Sequence, residues 1–226
     1  MEINETNTIN VKDVKSQLLR QKTSRGRFRW PLSQKQAEDL LLAAYMAEVE
    51  YRHIRFQNDA KTRNNISKVA SHLVNPRKFG LMFAGTCGNG KTTLMNAIQS
   101  ATNWLTQRRG FGQDEYGNDI KMTVKIVHVK DIIARCKDYN EMELLKKTEY
   151  LGIDDMGTEP TEVMDYGNIC NPVIDLIDYR YNRQLTTFIT TNKTPDELRD
   201  RYGIRIADRF REMIEQIIFE DGSYRK

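Results

Sequence analysis

The stretch that decides the fold is GTCGNGKT, residues 85 to 92. It fits the phosphate-binding loop pattern G-x-x-x-x-G-K-[ST] at every fixed position. The apolar residues 81–84 lead into it, as expected of a buried strand that ends where the loop begins. Three glycines allow backbone N–H groups to fold around phosphate oxygens. The pattern predicts a nucleoside triphosphate site, and the alternative is a glycine-rich structural turn.

The residue types in this loop indicate how a triphosphate, ATP by default, would be held. Lys91 brings a positive charge to the β- and γ-phosphates, and Thr92 offers a hydroxyl to Mg²⁺ at the start of a helix. The dipole of that helix also favours an anion at its N-terminus. The predicted nucleotide-binding residues are Gly85, Thr86, Cys87, Gly88, Asn89, Gly90, Lys91, Thr92 and Thr93.

A second apolar run, YLGI at residues 150–153, ends in the carboxylate pair Asp154 and Asp155. This is typical of a Walker B strand, which brings acids beside the phosphate loop. We expect Asp154 to hold Mg²⁺ through water and Asp155 to orient or deprotonate the attacking water, because phosphoryl transfer depends on positioning and charge neutralisation. Without the phosphate loop, the same pair would be interpreted as a solvated turn.

Two further polar features follow a strand predicted over residues 186–191. Asn192 stands directly after it and is the candidate sensor of the γ-phosphate or the attacking water, although asparagine there is ordinarily a turn former. Several arginines then crowd a short span, and the alternatives are a solvated helix face or an arginine finger that reaches a neighbouring subunit. They are Arg199, Arg201, Arg205, Arg209 and Arg211.

Alternating strands and helices predict an α/β fold with a parallel sheet. The strands are expected near 81–84, 123–129, 149–153, 186–191 and 214–219. Ser33 with Gln36 resembles a capping box that opens a helix to about Gln57, and a second apolar helical period ends before Pro76. The predicted division is therefore a basic flexible arm (1–31), a helical hairpin (32–77) and a core (78–226).

Charge and cysteine content restrict the class of protein. Residues 1–79 carry 15 Lys and Arg against 8 Asp and Glu, a balance of +7, whereas residues 80–226 carry 20 against 23, a balance of −3. A basic appendage predicts an acidic or nucleic-acid partner. Three cysteines without metal-ligand spacing suit a reducing compartment. We expect a cytoplasmic protein, since no run is long enough for a membrane span and no secretory signal is evident.

Within the appendage, RGRFRW at residues 25–30 interleaves cations with aromatic rings. That combination can grip phosphates and stack on bases. The alternative is a solvated arm whose aromatic rings pack back on the body of the protein. The sequence favours neither.

Several motifs together resemble one family. They are the phosphate loop, YLGIDDMGTE at 150–159, TTN at 190–192, GIRIADRF at 203–210 and GSYR at 222–225. Over residues 78–225 the chain looks like a DnaC/DnaI-type helicase loader or an IstB-type transposition helper. The resemblance implies a P-loop NTPase core of the AAA+ class, strand order 5-1-4-3-2, and ATP-dependent oligomers.

The resemblance also implies roles for individual residues. Asn192 becomes sensor 1, and Arg209 becomes the arginine finger that acts in trans, with Arg205 as the runner-up. Arg225 would lie near the nucleotide or a subunit boundary. Only 34 residues follow Asn192, so a full C-terminal lid is not expected. The second acid is Asp155, where many AAA+ enzymes use glutamate, and this predicts slow turnover.

Three functions fit these expectations. The first is an ATPase that assembles on single-stranded DNA and loads a replicative helicase. The second is an ATP-dependent helper that assembles with a transposase on duplex DNA. The third is a nucleotide-gated adaptor for a protein partner, with negligible hydrolysis.

Overall fold

The structure, a computed structural model, describes residues 10–21, 27–108, 110–114, 116–165 and 168–219. Its helices are α1 (Val11–Gln21), α2 (Gln34–Tyr51), α3 (Ala60–Val74), α4 (Lys91–Arg108), α5 (Val129–Arg135), α6 (Tyr139–Lys147), α7 (Pro172–Asn182), α8 (Pro195–Tyr202) and α9 (Ile204–Met213). Its strands are β1 (Gly80–Gly85), β2 (Lys125–His128), β3 (Tyr150–Met156), β4 (Val163–Asp165), β5 (Asn168–Cys170), β6 (Thr186–Thr191) and β7 (Ile214–Phe219). None of the helices in these ranges combines the length and apolar character needed to cross a bilayer.

Five strands form one parallel sheet in the order β2-β3-β6-β1-β7. The remaining two, β4 and β5, form a separate antiparallel hairpin that the sequence analysis did not predict. Counted without that hairpin, the sheet order from the β7 edge is 5-1-4-3-2, which confirms the predicted α/β fold. All five predicted strands are present, with β2 shorter and both β1 and β3 longer than expected.

Each face of the sheet carries a hydrophobic core. One core lies under α5, α7, α8 and α9, and the other lies under α2, α3 and α4. The helical hairpin α2–α3 therefore shares its core with the sheet, because residues of both belong to one cluster. Burial of this shared apolar surface attaches the hairpin to the rest of the chain.

Two aromatic residues of the basic segment belong to the same core. Trp30 is fully buried and its indole Nε1 donates to Thr102 Oγ1 at 3.2 Å. Phe28 packs its ring 4.9 Å from that of Tyr150 and 5.5 Å from that of Phe188. The aromatic rings of this segment therefore pack against the body of the protein, and neither ring is available to stack on a nucleic-acid base.

The helices differ from expectation in two places. Residues 11–21 form α1, where a flexible arm was expected, and its apolar side chains, including Val14 and Leu18, are exposed. The capping box at Ser33 is confirmed, but α2 ends at Tyr51 rather than near Gln57. His53 has φ 57° there, and its N–H donates to Glu50 while that of Ile54 donates to Val49. This is a Schellman ending, with histidine where glycine usually signals it.

Candidate functional site

The predicted phosphate loop connects β1 to α4 at the carboxyl edge of the sheet. Gly88 and Gly90 have φ of 80° and 89°, a region that side chains with Cβ rarely adopt. A Cβ at Gly90 would also collide with the hydroxyl of Tyr45 on α2. Glycine is thus required here both for the turn and for the close approach of the hairpin.

Lys91, the first residue of α4, is buried under this loop. Its ammonium donates to the carbonyl oxygens of Gly85 at 2.8 Å and Thr86 at 2.5 Å, and to Asn89 Oδ1 at 3.0 Å. Asn89 is itself fixed, because its Nδ2 donates to the Phe219 carbonyl at 3.1 Å. The cation is therefore held at the centre of the loop, within reach of any anion that the loop encloses.

The acid pair lies beside the loop because of a bulge in β3. The β3–β6 register runs from Ile153 opposite Ile189 to Met156 opposite Thr191, so Asp154 and Asp155 share the single position of Thr190. One extra residue in a strand redirects its side chains. Asp154 Oδ1 accepts from Thr92 Oγ1 at 2.9 Å, which joins the two predicted metal ligands.

Thr190 holds the bulge, a contribution that the sequence analysis did not assign. Its hydroxyl donates to Asp154 Oδ1 at 2.5 Å and accepts from the N–H of Asp155 at 2.8 Å. One hydroxyl has one proton to give, and this arrangement uses it fully. The TTN motif gave a signal for this residue, but only the partner strand reveals which hydroxyl faces the acids.

Asp155 adopts φ 56°, an unusual value for a residue with a side chain. Thr158 keeps it there, donating from its backbone N–H at 3.2 Å and from its hydroxyl at 2.9 Å to the Asp155 carbonyl. Backbone strain of this kind persists where surrounding bonds enforce it and is common at functional sites.

His128, at the end of β2, faces Asp155 and was also missed. Its Nε2 lies 3.6 Å from Asp155 Oδ2. Its Nδ1 accepts the N–H of Lys130 at 3.2 Å, so in the neutral ring the proton resides on Nε2, toward the carboxylate. The ring therefore presents an N–H to the second acid of the pair.

Asn192 follows β6, the strand between β3 with its acid pair and β1 with the phosphate loop. Its Nδ2 donates to Cys87 Sγ at 3.1 Å. Its Oδ1 is buried and has no hydrogen-bond partner among the described residues. A buried amide oxygen without a partner is well suited to accept a hydrogen bond from a further polar group.

The cavity at this edge has a second wall that the sequence analysis did not foresee. The phosphate loop, Asp155 and Asn192 form one side. The other side comes from α2, the segment that follows it and the first turn of α3, and its residues are Tyr45, Val49, Arg52, Ile54, Arg55, Phe56, Gln57 and Thr62. One end of the cavity is thus rich in charged and amide groups, and the other has apolar and aromatic walls with two arginines.

Thr92 and Asp154 fit the expected magnesium ion in their chemistry. A hydroxyl and a carboxylate oxygen lie 2.9 Å apart, and both are hard oxygen ligands. Mg²⁺ is usually bound by one or two such protein oxygens, with waters and phosphate oxygens completing the octahedron. These two side chains therefore suit a metal that arrives with a nucleotide.

The two candidate finger arginines lie on α9, away from this cavity. Arg209 is only 12% exposed, pairs with Asp178 of α7, and stacks its guanidinium carbon 4.9 Å from the ring centre of Tyr181. Arg205 is 72% exposed, and its Nη2 lies 3.1 Å from Asp178 Oδ2. Arg225, the third arginine of interest, lies outside the described residues.

Comparison with known proteins supports the fold. No protein-family model matches the sequence, and no curated protein is detectably similar to it. Among solved structures, the chain is similar to DnaI (TM-score 0.52, 22% identity, 72% of this chain and 87% of that one). It is likewise similar to a DnaC helicase loader (TM-score 0.52, 24% identity, 73% and 93%). A candidate primosome component from Streptococcus pyogenes serotype M3 gives TM-score 0.53 at 20% identity (81% and 98%). The predicted resemblance to the DnaC/DnaI fold is confirmed.

Proposed function

We propose that the chain binds and hydrolyses ATP. The observation that carries this proposal is the convergence of the phosphate loop, the Thr92–Asp154 pair and Asp155 at one edge of the sheet. Lys91 would exchange its contacts with loop carbonyls for the β- and γ-phosphates. Asn192, with its free amide oxygen and its Nδ2 on a weak sulfur acceptor, would turn toward the γ-phosphate or the attacking water.

The base of the nucleotide would occupy the opposite end of the cavity. Phe56 and Ile54 offer apolar surface there, and Arg52 offers a planar guanidinium that can stack on a ring. Since α2 and its following segment form this wall, nucleotide binding would depend on the helical hairpin as well as on the sheet.

The residues divide the hydrolytic chemistry among them. Thr92 and Asp154 would hold Mg²⁺, which supplies charge neutralisation on the phosphates when bound. Asp155 would orient the attacking water, with the N–H of His128 directed at its carboxylate. An aspartate is one methylene shorter than glutamate, which favours slow turnover without a partner.

The arginine finger would act between subunits of an oligomer. The described residues that line the cavity include none from α9, so an arginine of α9 would have to serve the site of another subunit. Both arginines pair with Asp178, but the side chain of Arg205 is 72% exposed. We favour Arg205, because Arg209 is only 12% exposed and is also stacked on Tyr181. Arg209 would then anchor α9, and the initial prediction that it is the finger stays untested.

We further propose that this ATPase assembles on DNA and loads a replicative helicase. The likeness to DnaI and to a DnaC helicase loader supports this through the shared fold. Because Phe28 and Trp30 are buried, neither ring can contact DNA, and the basic N-terminal appendage would bind it through cations. The exposed cations of α1, Lys12, Lys15 and Arg20, are candidates for that contact.

A pair of variants tests the ATPase proposal. Lys91→Ala should abolish ATP binding and ATP-dependent assembly, and Asp154→Ala should lose Mg²⁺-dependent turnover. Nucleotide affinity by calorimetry and sedimentation with and without ATP measure both. Unchanged affinity in the Lys91 variant would refute the proposed site.

Affinity capture tests the partner. The full chain with ATP should retain the replicative helicase of its host, and a transposase retained in its place would favour the transposition helper. Replacing the three α1 cations with glutamine should weaken binding to single-stranded DNA and flatten its salt dependence. An equal salt slope would exclude α1 from the DNA contact.

A further inference from the structure

Glu159 is a buried carboxylate to which the proposed reaction gives no task. Its side chain is only 1% exposed. Burying an ionised group is costly unless hydrogen bonds and opposite charges compensate, and hydrophobic residues often fill such positions equally well. The contacts that compensate the burial of Glu159 therefore show what this side chain holds in place.

One carboxylate oxygen of Glu159 holds the turn that follows the acid pair. Glu159 Oε2 accepts the N–H of Gly157 at 2.9 Å. Gly157 has φ 99°, and a Cβ there would lie 2.7 Å from Lys193 Cγ, next to Asn192. The turn from Asp155 to Glu159 is therefore fixed against the sensor end of β6.

The other contacts of Glu159 hold the end of α8. The buried hydroxyl of Tyr202 donates to Glu159 Oε1, and Arg201 Nη2 donates to the Glu159 carbonyl. Arg201 Nε also lies 3.6 Å from Glu159 Oε1. Burial raises the pKa of the Tyr202 hydroxyl, and the hydrogen bond to Glu159 raises it further. The hydroxyl therefore stays protonated and remains a donor. We call Glu159, Gly157, Arg201 and Tyr202 the Glu159 clamp.

The Glu159 clamp ends where the arginine helix begins. Gly203, directly after Tyr202, has φ 85° and turns the chain from α8 into α9 without a side-chain cap. Arg205 follows within the first turn of α9. The start of α9 is thus joined through Gly203 to the clamped end of α8, while Asp178 of α7 holds Arg209 further along the helix.

We propose that Glu159 is a positioning residue that sets the reach of Arg205 into the site of a neighbouring subunit. The inference rests on the proposed ATPase and its finger in trans. The competing possibility is that Glu159 positions only Asp155 of its own subunit through the Gly157 turn. The two differ in which subunit of a mixed assembly is impaired.

Two variants disturb the Glu159 clamp at different points. Tyr202→Phe removes one hydroxyl and keeps the ring, and Glu159→Gln removes the charge and keeps the side-chain length. Each should bind ATP with unchanged affinity, because the phosphate loop is intact. Each should lower turnover by about tenfold or more, since misplacing a catalytic group by about 1 Å can cost about a hundredfold.

Mixing with Lys91→Ala subunits decides between the possibilities. Lys91→Ala subunits should not assemble by themselves, but they keep an intact finger and can join at the ATP that a Tyr202→Phe or Glu159→Gln subunit holds. They should therefore restore hydrolysis to those subunits in equimolar mixtures that co-sediment. Arg205→Ala mixed with Lys91→Ala is the control and should recover in the same way.

Three results would overturn the inference. If the Arg205→Ala mixture recovers but the clamp mixtures show only the sum of their parts, Glu159 acts within its own subunit. Unchanged turnover in both clamp variants would remove any positioning task. A failure of the Arg205→Ala mixture despite co-assembly would instead refute the finger in trans, and the inference with it.

Discussion

Replacing Thr190 with valine tests how the acid pair is held, because the exchange keeps the side-chain shape and removes one hydroxyl. Thr190 is fully buried on β6. Its hydroxyl donates to Asp154 Oδ1 at 2.5 Å and accepts from the N–H of Asp155 at 2.8 Å. Valine can make neither bond, so the bulge in β3 loses both of its fixed points on β6.

The cost follows from these two bonds. Losing a hydrogen bond to an ionised group costs about 1.5–3 kcal/mol, and leaving a buried N–H without an acceptor costs about 1–3 kcal/mol. Because the two terms share one side chain and are not additive, we expect the free energy of unfolding to fall by about 2–4 kcal/mol. At about 2–4 °C per kcal/mol for a chain of this size, the unfolding midpoint should fall by roughly 4–16 °C.

Thr191→Val is the matched control. Thr191 is also fully buried on β6, and its hydroxyl donates to the Met156 carbonyl at 2.7 Å and accepts the N–H of Lys193 at 3.1 Å. It touches neither acid through these bonds. Both variants should therefore lose stability, but only Thr190→Val should lose ATP turnover, by about tenfold or more.

Thermal unfolding by circular dichroism and ATP hydrolysis at saturating Mg²⁺ and ATP measure the two effects. Wild-type turnover in Thr190→Val would refute the idea that this hydroxyl aligns the acids. Equal losses of turnover in the two variants would show that the effect is general loosening of β6.

Two further predictions concern histidines. His128→Asn keeps a side-chain acceptor for the N–H of Lys130 but removes the contact with Asp155. This half-exposed contact is worth up to about 1 kcal/mol, so turnover should fall by up to about fivefold while ATP affinity stays unchanged. Unaltered turnover would contradict a contribution of His128. Burial lowers the pKa of His72 despite its bond to Glu215. The unfolded chain therefore binds this proton more readily than the folded chain. As a result, the free energy of unfolding should fall as the pH drops below about 6.5. Urea unfolding at pH 7.5 and 5.5 should show this loss in the wild type and a smaller one in His72→Gln, and equal losses would exclude His72 as the cause.

The parts of the site that lie within one stretch of sequence were predictable. The glycine spacing of the loop and the position of Lys91 are set by local backbone geometry, and the five strands are rich in apolar and β-branched residues. Asp154 could be placed beside Thr92 because strands of a parallel sheet end at the same edge. These features follow from local sequence patterns and from the parallel arrangement of the strands, so the sequence was enough to predict them.

The parts that depend on contacts between distant segments were not predictable. Thr190 faces both acids only because β3 carries a bulge opposite it. The resulting shift in the β3–β6 register cannot be predicted from the sequence of either strand alone. His53 ends α2 without the usual glycine, so the wall of the cavity that follows it gave no signal. The pairing of Arg209 with Asp178 depends on how α9 packs on α7, which the arginine-rich pattern leaves open.

The approach of Tyr45 to Gly90 makes the helical hairpin and the phosphate loop thermodynamically linked. Any ligand that bridges the loop and the segment containing Phe56 stabilises the docked hairpin by the same free energy by which docking strengthens ligand binding. Amide hydrogen exchange in α2 should therefore slow when ATP is added, by a factor that rises with ATP concentration. For the same reason, a fragment that begins at residue 78 would lack one wall of the cavity and would expose the core face that α2 and α3 cover.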